Sequence, residues 1–191
     1  MSEEQHIPTE IREVFAKATC LHTKFDIECA LEHMATGISY SVSHKNPVFI
    51  CVMIGGMVTM GNLLTHLDFP LEVDYIDARR YDSGIEAKEI KFHVEPTTNL
   101  EGRTVVIVDD ILDGGITLAH CVDYCKSQGA GEILTAVLVD KMREKRDEGG
   151  IENADFVALT VPNQYIFGYG LDYKEYLRNA PGIYKVAPEH Q

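Results

Sequence analysis

Apolar residues recur along this chain with two periods, and the alternation of those periods predicts the fold. From Thr9 to Cys20 they fall at helical spacing with Pro8 just ahead, which predicts a helix. A second helix is predicted from about Asp26 to Tyr40, with Asp26 as its N-cap. PVFICVMI (Pro47–Ile54) is a continuous apolar run closed by Gly55 and Gly56, the pattern of a strand covered on both faces. GMVTMGNLLTHL then reads as a helix. LEVDYIDARRY (Leu71–Tyr81) and EAKEIKFHVE read as strands joined through DSG. TVVIVDD is another buried strand, and GITLAHCVDYCKSQGA is a helix closed by Gly129. EILTAVLVDK and DFVALTVP are two further strands.

Strands alternating with helices predict an α/β fold with a mostly parallel sheet flanked by helices. Such sheets take ligands at the carboxyl ends of their strands, where the strand order reverses. Both Gly-rich turns, after Ile54 and after Asp110, lie at such ends. The N-terminal segment and the residues beyond about Asp140 fall outside this core and are expected to cap one edge.

Length and charge narrow the picture. A chain of 191 residues, 45% of them hydrophobic, suits one domain with a single sizeable core. A net charge of -13 repels phosphate backbones, so nucleic acid is not an expected partner. The basic run DKMREKR (Asp140–Arg146), followed at once by Asp147 and Glu148, reads as a solvated loop. No apolar stretch is long enough to span a membrane, and the polar, acidic start is no signal peptide. Five cysteines without regular spacing predict reduced thiols in a cytoplasmic protein. Cys121 and Cys125, beside His120, read as buried helix residues rather than metal ligands.

The chemistry concentrates in VVIVDDILDGGITLAH (Val105–His120). Unpaired N–H groups at the start of the following helix can bind an anion, and Gly114 and Gly115 let the backbone approach it. Thr117 adds a hydroxyl, so the turn reads as a monophosphate cradle. Asp109 and Asp110 suit a ligand with vicinal hydroxyls. Asp113 is placed to take or give a proton. Three carboxylates within five residues repel one another, so a compensating ligand or cation is expected.

VVIVDDILDGGITL resembles the phosphoribosyl-pyrophosphate (PRPP) motif of the type I phosphoribosyltransferases: a hydrophobic run, two acidic residues, two apolar ones, then Asp-x-Gly-x-Thr. The resemblance implies one domain with an α/β core over about residues 45–140. A small hood would come from the N-terminal segment and about residues 141–191. It places the ribose hydroxyls on Asp109 and Asp110 and the 5′-phosphate on Asp113, Gly114, Gly115, Ile116 and Thr117. VPNQYIFGYGLDYKEYLRN (Val161–Asn179) is similar to the hood of the hypoxanthine-guanine phosphoribosyltransferases. There Tyr165 offers a flat face to a purine, and backbone groups of Ile166 and Asp172 would read its polar edge. Lys141 would donate to a 6-oxo group, which favours 6-oxopurines over adenine. Asp172, with Asp109 and Asp110, would hold Mg²⁺ on the pyrophosphate side. Arg178 would bind pyrophosphate.

The implied activity is purine salvage: PRPP and hypoxanthine or guanine give IMP or GMP plus pyrophosphate, with Asp113 relaying the purine proton. A homodimer or homotetramer is the family's habit. A PRPP-sensing regulator on the same fold, or a preference for xanthine, are the alternatives.

Three positions depart from the family pattern. Ile54 stands in the pyrophosphate loop where relatives carry Lys or Arg, so any contact must come from backbone N–H groups of Ile54, Gly55 or Gly56. A cis peptide before Ile54 is compatible with the resemblance. In the flexible loop over the site, Tyr81 fits the pattern but Arg80 replaces a serine, and its charge could offset the one missing at Ile54. Gly114 stands where relatives often have Thr, which removes one phosphate hydroxyl.

Overall fold

The computed structural model describes residues 7–81 and 89–191, and the side chains of residues 79–81 and 89 lie outside that description. Six strands form the central sheet: β2 (Val48–Met53), β3 (Glu72–Tyr81), β4 (Glu89–Val94), β5 (Thr104–Leu112), β6 (Glu132–Met142) and β7 (Phe156–Pro162). Their order is β4-β3-β2-β5-β6-β7, parallel throughout except for β4, which pairs antiparallel with β3. The central strands β2 and β5 are buried almost from end to end, as expected of strands with both faces covered. Helices α2 (Lys24–Val42) and α3 (Gly56–Leu64) share one apolar cluster with the sheet, and α4 (Ile116–Ser127) packs in the other.

A second, three-stranded antiparallel sheet stands apart from the first. It joins β1 (Thr19–His22), β9 (Ile183–Lys185) and β8 (Ile166–Phe167) in the order β1-β9-β8. Helix α1 (Thr9–Lys17) packs Ile11 and Val14 against Phe167, Tyr173 and Val186, closing a third, smaller cluster beside that sheet. Two ends of one chain therefore build this unit together.

Several boundaries differ from the pattern-based expectation. The first helix stops at Lys17 rather than Cys20, because Ala18 turns extended and Thr19 pairs with Lys185 of β9. Asp26 is not the N-cap of α2. Thr23 is, and the Asp26 carboxylate returns a bond to the Thr23 N–H at 2.9 Å, which makes a capping box. Two elements expected outside the core lie in it: α2 packs on the large sheet, and β7 is one of that sheet's edge strands, opposite β4. The flexible-loop positions Arg80 and Tyr81 lie at the end of β3, paired with Ile90 and Glu89, and their side chains fall outside the description.

Candidate active site

The sheet order reverses between β2 and β5. The chain steps from β2 to β3 on one side, and from β5 to β6 on the other. The carboxyl ends of these two strands diverge there and leave a crevice. Ile54 and Gly55 enter it from β2. Asp109, Asp110 and Asp113 enter it from β5, with Gly114, Gly115 and Thr117 beyond. Arg178 closes it from the hood side, and the cavity so formed measures about 220 Å³. Gly56 is buried behind this lining, against the Val108 backbone.

The Gly-rich turn after Asp113 is built as its composition requires. Gly115 is the N-cap of α4 at φ 81°, a left-handed conformation that suits glycine, and no side chain caps the helix. The first-turn N–H groups of Ile116 and Thr117 are thus left for an anion. At the β2 end the Met53–Ile54 peptide is cis. A Cβ on Gly55 would run into the Asp110 carboxylate, so only glycine lets the two strand ends approach this closely.

The carboxylates are separated by environment. Asp109 and Asp110 are 7% and 8% exposed, and the Asp110 N–H donates to Asp109 Oδ1 at 2.8 Å. Burial pushes the Asp110 carboxyl above its ordinary range, while the Asp109 hydrogen bond and the Arg178 charge pull the other way. Asp113 is more open and is compensated by cations of the chain itself. Lys141 Nζ donates to its Oδ2 at 3.0 Å, and Arg143 Nη1 to its Oδ1 at 3.1 Å.

Asp110, Ile111 and Asp113 also form one wall of a neighbouring cavity of about 280 Å³, completed by Lys141, Tyr165, Ile166, Leu171 and Asp172. Tyr165 is 39% exposed and is backed by the buried ring of Tyr173 at 5.4 Å between centroids. The hood segment 168–178 is not helical. Lys174, Glu175 and Leu177 all take positive φ, and Tyr173 bridges to Tyr176. Arg178 anchors this turn: Nη1 donates to Gly170 O at 2.8 Å, and Nη2 pairs with Asp172 Oδ1 at 2.9 Å. On the far side of Ile54 a third cavity carries three carboxylates in its described lining, Asp77, Asp172 and Glu175, beside the single guanidinium of Arg178. Among the described residues no three His, Cys, Asp or Glu side chains converge as a ready metal cage.

One expectation fails here. The run DKMREKR is not a solvated loop. Arg146 is 8% exposed, and its guanidinium donates to the carbonyls of Leu112, Asp113, Lys141 and Glu152 at 2.8–3.2 Å while pairing with Asp140. Asp147 N–H donates to Gly114 O at 3.1 Å, and Ile151 N–H to Gly115 O at 3.2 Å. The segment straps the Gly-rich turn from outside. It also accounts for Gly114, since the Asp147 carboxylate occupies the place a Cβ would take. A glycine where a hydroxyl was expected was the available signal that something else fills that space.

The pattern of the phosphoribosyl transferase domain matches residues 20–173. A hypoxanthine-guanine phosphoribosyltransferase of Streptococcus thermophilus is 34% identical over 166 residues, covering 85% of this chain and 89% of that protein. A solved hypoxanthine-guanine-xanthine phosphoribosyltransferase superposes with a TM-score of 0.79 at 31% identity, over 88% of this chain and 96% of the other. A hypoxanthine phosphoribosyltransferase variant from Trypanosoma cruzi, complexed with the product IMP, superposes with a TM-score of 0.80 at 27% identity, over 89% and 91% of the two chains.

Proposed function

The chain belongs to the phosphoribosyl transferase domain family, and on that premise we propose that it performs purine salvage as a hypoxanthine-guanine phosphoribosyltransferase. One observation carries the reading. Asp113 stands where two cavities meet, with the phosphate turn on one side and Lys141 and Tyr165 on the other. That position supports a role for Asp113 as proton acceptor between a sugar phosphate and a flat base.

The base lies against the exposed face of Tyr165, with backbone groups of Ile166 and Asp172 at its edge. Lys141 turns from Asp113 to the 6-oxo group, a donor that a 6-amino purine cannot use. Asp109 and Asp110 accept from the ribose hydroxyls, and the N–H groups of residues 114–117 take the 5′-phosphate. A purine nitrogen attacks C1′ as the C1′–pyrophosphate bond breaks, and Asp113 takes the proton the purine loses. Pyrophosphate departs towards Arg178, whose fork of donors suits it. Magnesium bound there would supply positive charge to the leaving group, and Asp172, Asp109 and Asp110 are the carboxylates placed to hold it.

Association into a homodimer or homotetramer is supported by an apolar face next to the pyrophosphate loop, where Met57, Val73 and Tyr75 are exposed. Among the described residues no helix is long and apolar enough to cross a membrane. Buried free thiols at Cys51, Cys121 and Cys125 suit a cytoplasmic setting.

Purified protein incubated with PRPP and Mg²⁺ should convert hypoxanthine and guanine to IMP and GMP and leave adenine untouched. Xanthine belongs in the same assay, because a 31% identical relative carries it in its name. PRPP binding without turnover of any 6-oxopurine would replace the enzyme with a PRPP-binding regulator.

A further inference from the structure

Asp113 has two cationic partners, and the proposed reaction removes one of them. Lys141 Nζ and Arg143 Nη1 each hold one oxygen of the Asp113 carboxylate, at 3.0 and 3.1 Å. When Lys141 turns to a 6-oxopurine, Asp113 loses the bond at Oδ2. Arg143 has no such second task. Its other amino group, Nη2, pairs with Asp147 Oδ1 at 3.1 Å. Asp147 in turn donates its N–H to Gly114 O and fills the space beside Gly114. The guanidinium thus spans from the strap over the phosphate turn to the proton-accepting carboxylate, and its planar fork suits two carboxylates at once.

Resting on the phosphoribosyl-transfer reading above, we propose that Arg143 is a positioning residue that keeps the Asp113 carboxylate aimed at the purine while Lys141 is engaged by the base. The bond at Oδ1 leaves Oδ2 to accept the purine proton. Lys141 and Arg143 therefore divide their work in time. Both hold Asp113 in the resting site, and Arg143 alone holds it during transfer.

A purely structural role for Arg143 would show differently. Loss of a strut would loosen the strap and the phosphate turn, lowering PRPP affinity and melting temperature together. Loss of the positioning bond leaves the resting Lys141–Asp113 pair intact and acts only once the base is bound. The wild type, Arg143→Met and Arg143→Lys are therefore compared for kcat and KM with hypoxanthine, equilibrium PRPP binding with Mg²⁺, and melting temperature. Arg143→Met should lower kcat about tenfold or more, within the range ascribed to a misplaced catalytic group. PRPP affinity should stay within about twofold and the melting temperature within about two degrees, as for a partly exposed side chain. Arg143→Lys, which keeps one donor, should recover part of kcat. An unchanged kcat in Arg143→Met overturns the proposal, and so does a kcat loss matched by a loss of PRPP affinity. A wild type without turnover instead sinks the enzymatic reading itself, before the variants are compared.

Discussion

The two walls of the site are built on opposite plans. The β5 wall is one short stretch of chain. Asp109 to Thr117 follow one another from a strand buried on both faces into a helix start. The hood wall has almost no regular structure. Tyr165 to Arg178 run through tight turns with several positive φ values. Their order comes from far along the chain: Tyr173 Oη donates to Glu10 Oε1 at 2.9 Å and to His190 O at 3.2 Å, and β1 pairs with β9. A strand end can present reactive groups by itself, whereas a turn-rich wall has to be held by segments that touch no ligand. Catalytic sensitivity is therefore expected to concentrate on the β5 wall, and stability effects on whatever clamps each wall.

The largest effect tests the β5 wall directly. Asp113→Asn keeps the shape and removes the proposed proton acceptor. It should lower kcat by about 10²- to 10⁴-fold, the usual contribution of a positioned base, with little change in the KM for PRPP. A kcat within threefold of wild type would take Asp113 out of proton transfer and remove the asymmetry between the walls.

Next in size comes the strap. Arg146→Met removes a buried guanidinium that serves four carbonyls and Asp140. Leaving those acceptors unpaired should cost on the order of 2 kcal/mol. Chemical denaturation would measure it, and an unchanged midpoint would mean that the turn stands without its strap.

A smaller, compensable effect is expected at Gly114. Gly114→Thr restores the hydroxyl that relatives carry but drives its Cβ into the Asp147 carboxylate. Overpacking of this kind costs about 1–3 kcal/mol and should raise the KM for PRPP. Asp147→Ala should be mild alone and should rescue Gly114→Thr, so the pair is non-additive. Additive effects would show that the two residues do not compete for one space.

The same contrast decides what could be read in advance. The parallel sheet and the Gly-rich turn that opens α4 beside Asp113 were legible, because the periods of apolar residues and a contiguous motif record them locally. Tyr165, Asp172 and Arg178 were recognisable as site candidates only through a resemblance, since nothing in YIFGYGLDYKEYLR itself distinguishes a run of tight turns from an amphipathic helix. The supports were not legible. Arg146 lies in a run of alternating charge that looks solvated, and its burial depends on carbonyls more than thirty residues away. Glu10 lies in a helix whose partner is about 160 residues downstream. A single sequence holds no local trace of contacts at such separation.

Glu10 supplies the smallest and most specific test, because it acts on the hood wall alone. Its carboxylate accepts hydrogen bonds from Lys174 at 2.6 Å and from Tyr173 at 2.9 Å, and these, with the Lys174 charge, hold its pKa below the ordinary carboxylate value. A depressed folded-state pKa means that the ionised form favours the folded chain. The contribution is therefore present above the unfolded carboxylate pKa and is lost as pH falls through the lower, folded value. Glu10→Gln should be slightly less stable than wild type at pH 7, and the gap should close on acidification below about pH 4 as the wild-type carboxylate protonates. The exposure of the pair keeps the effect small and sensitive to salt. Denaturation midpoints of the two proteins, compared at pH 7 and below pH 4, give the difference directly. Hypoxanthine KM should shift with it only slightly, through the Tyr173 ring that backs Tyr165. A gap that persists undiminished in acid would show that α1 holds the hood by the packing of Ile11 and Val14 rather than by this charge.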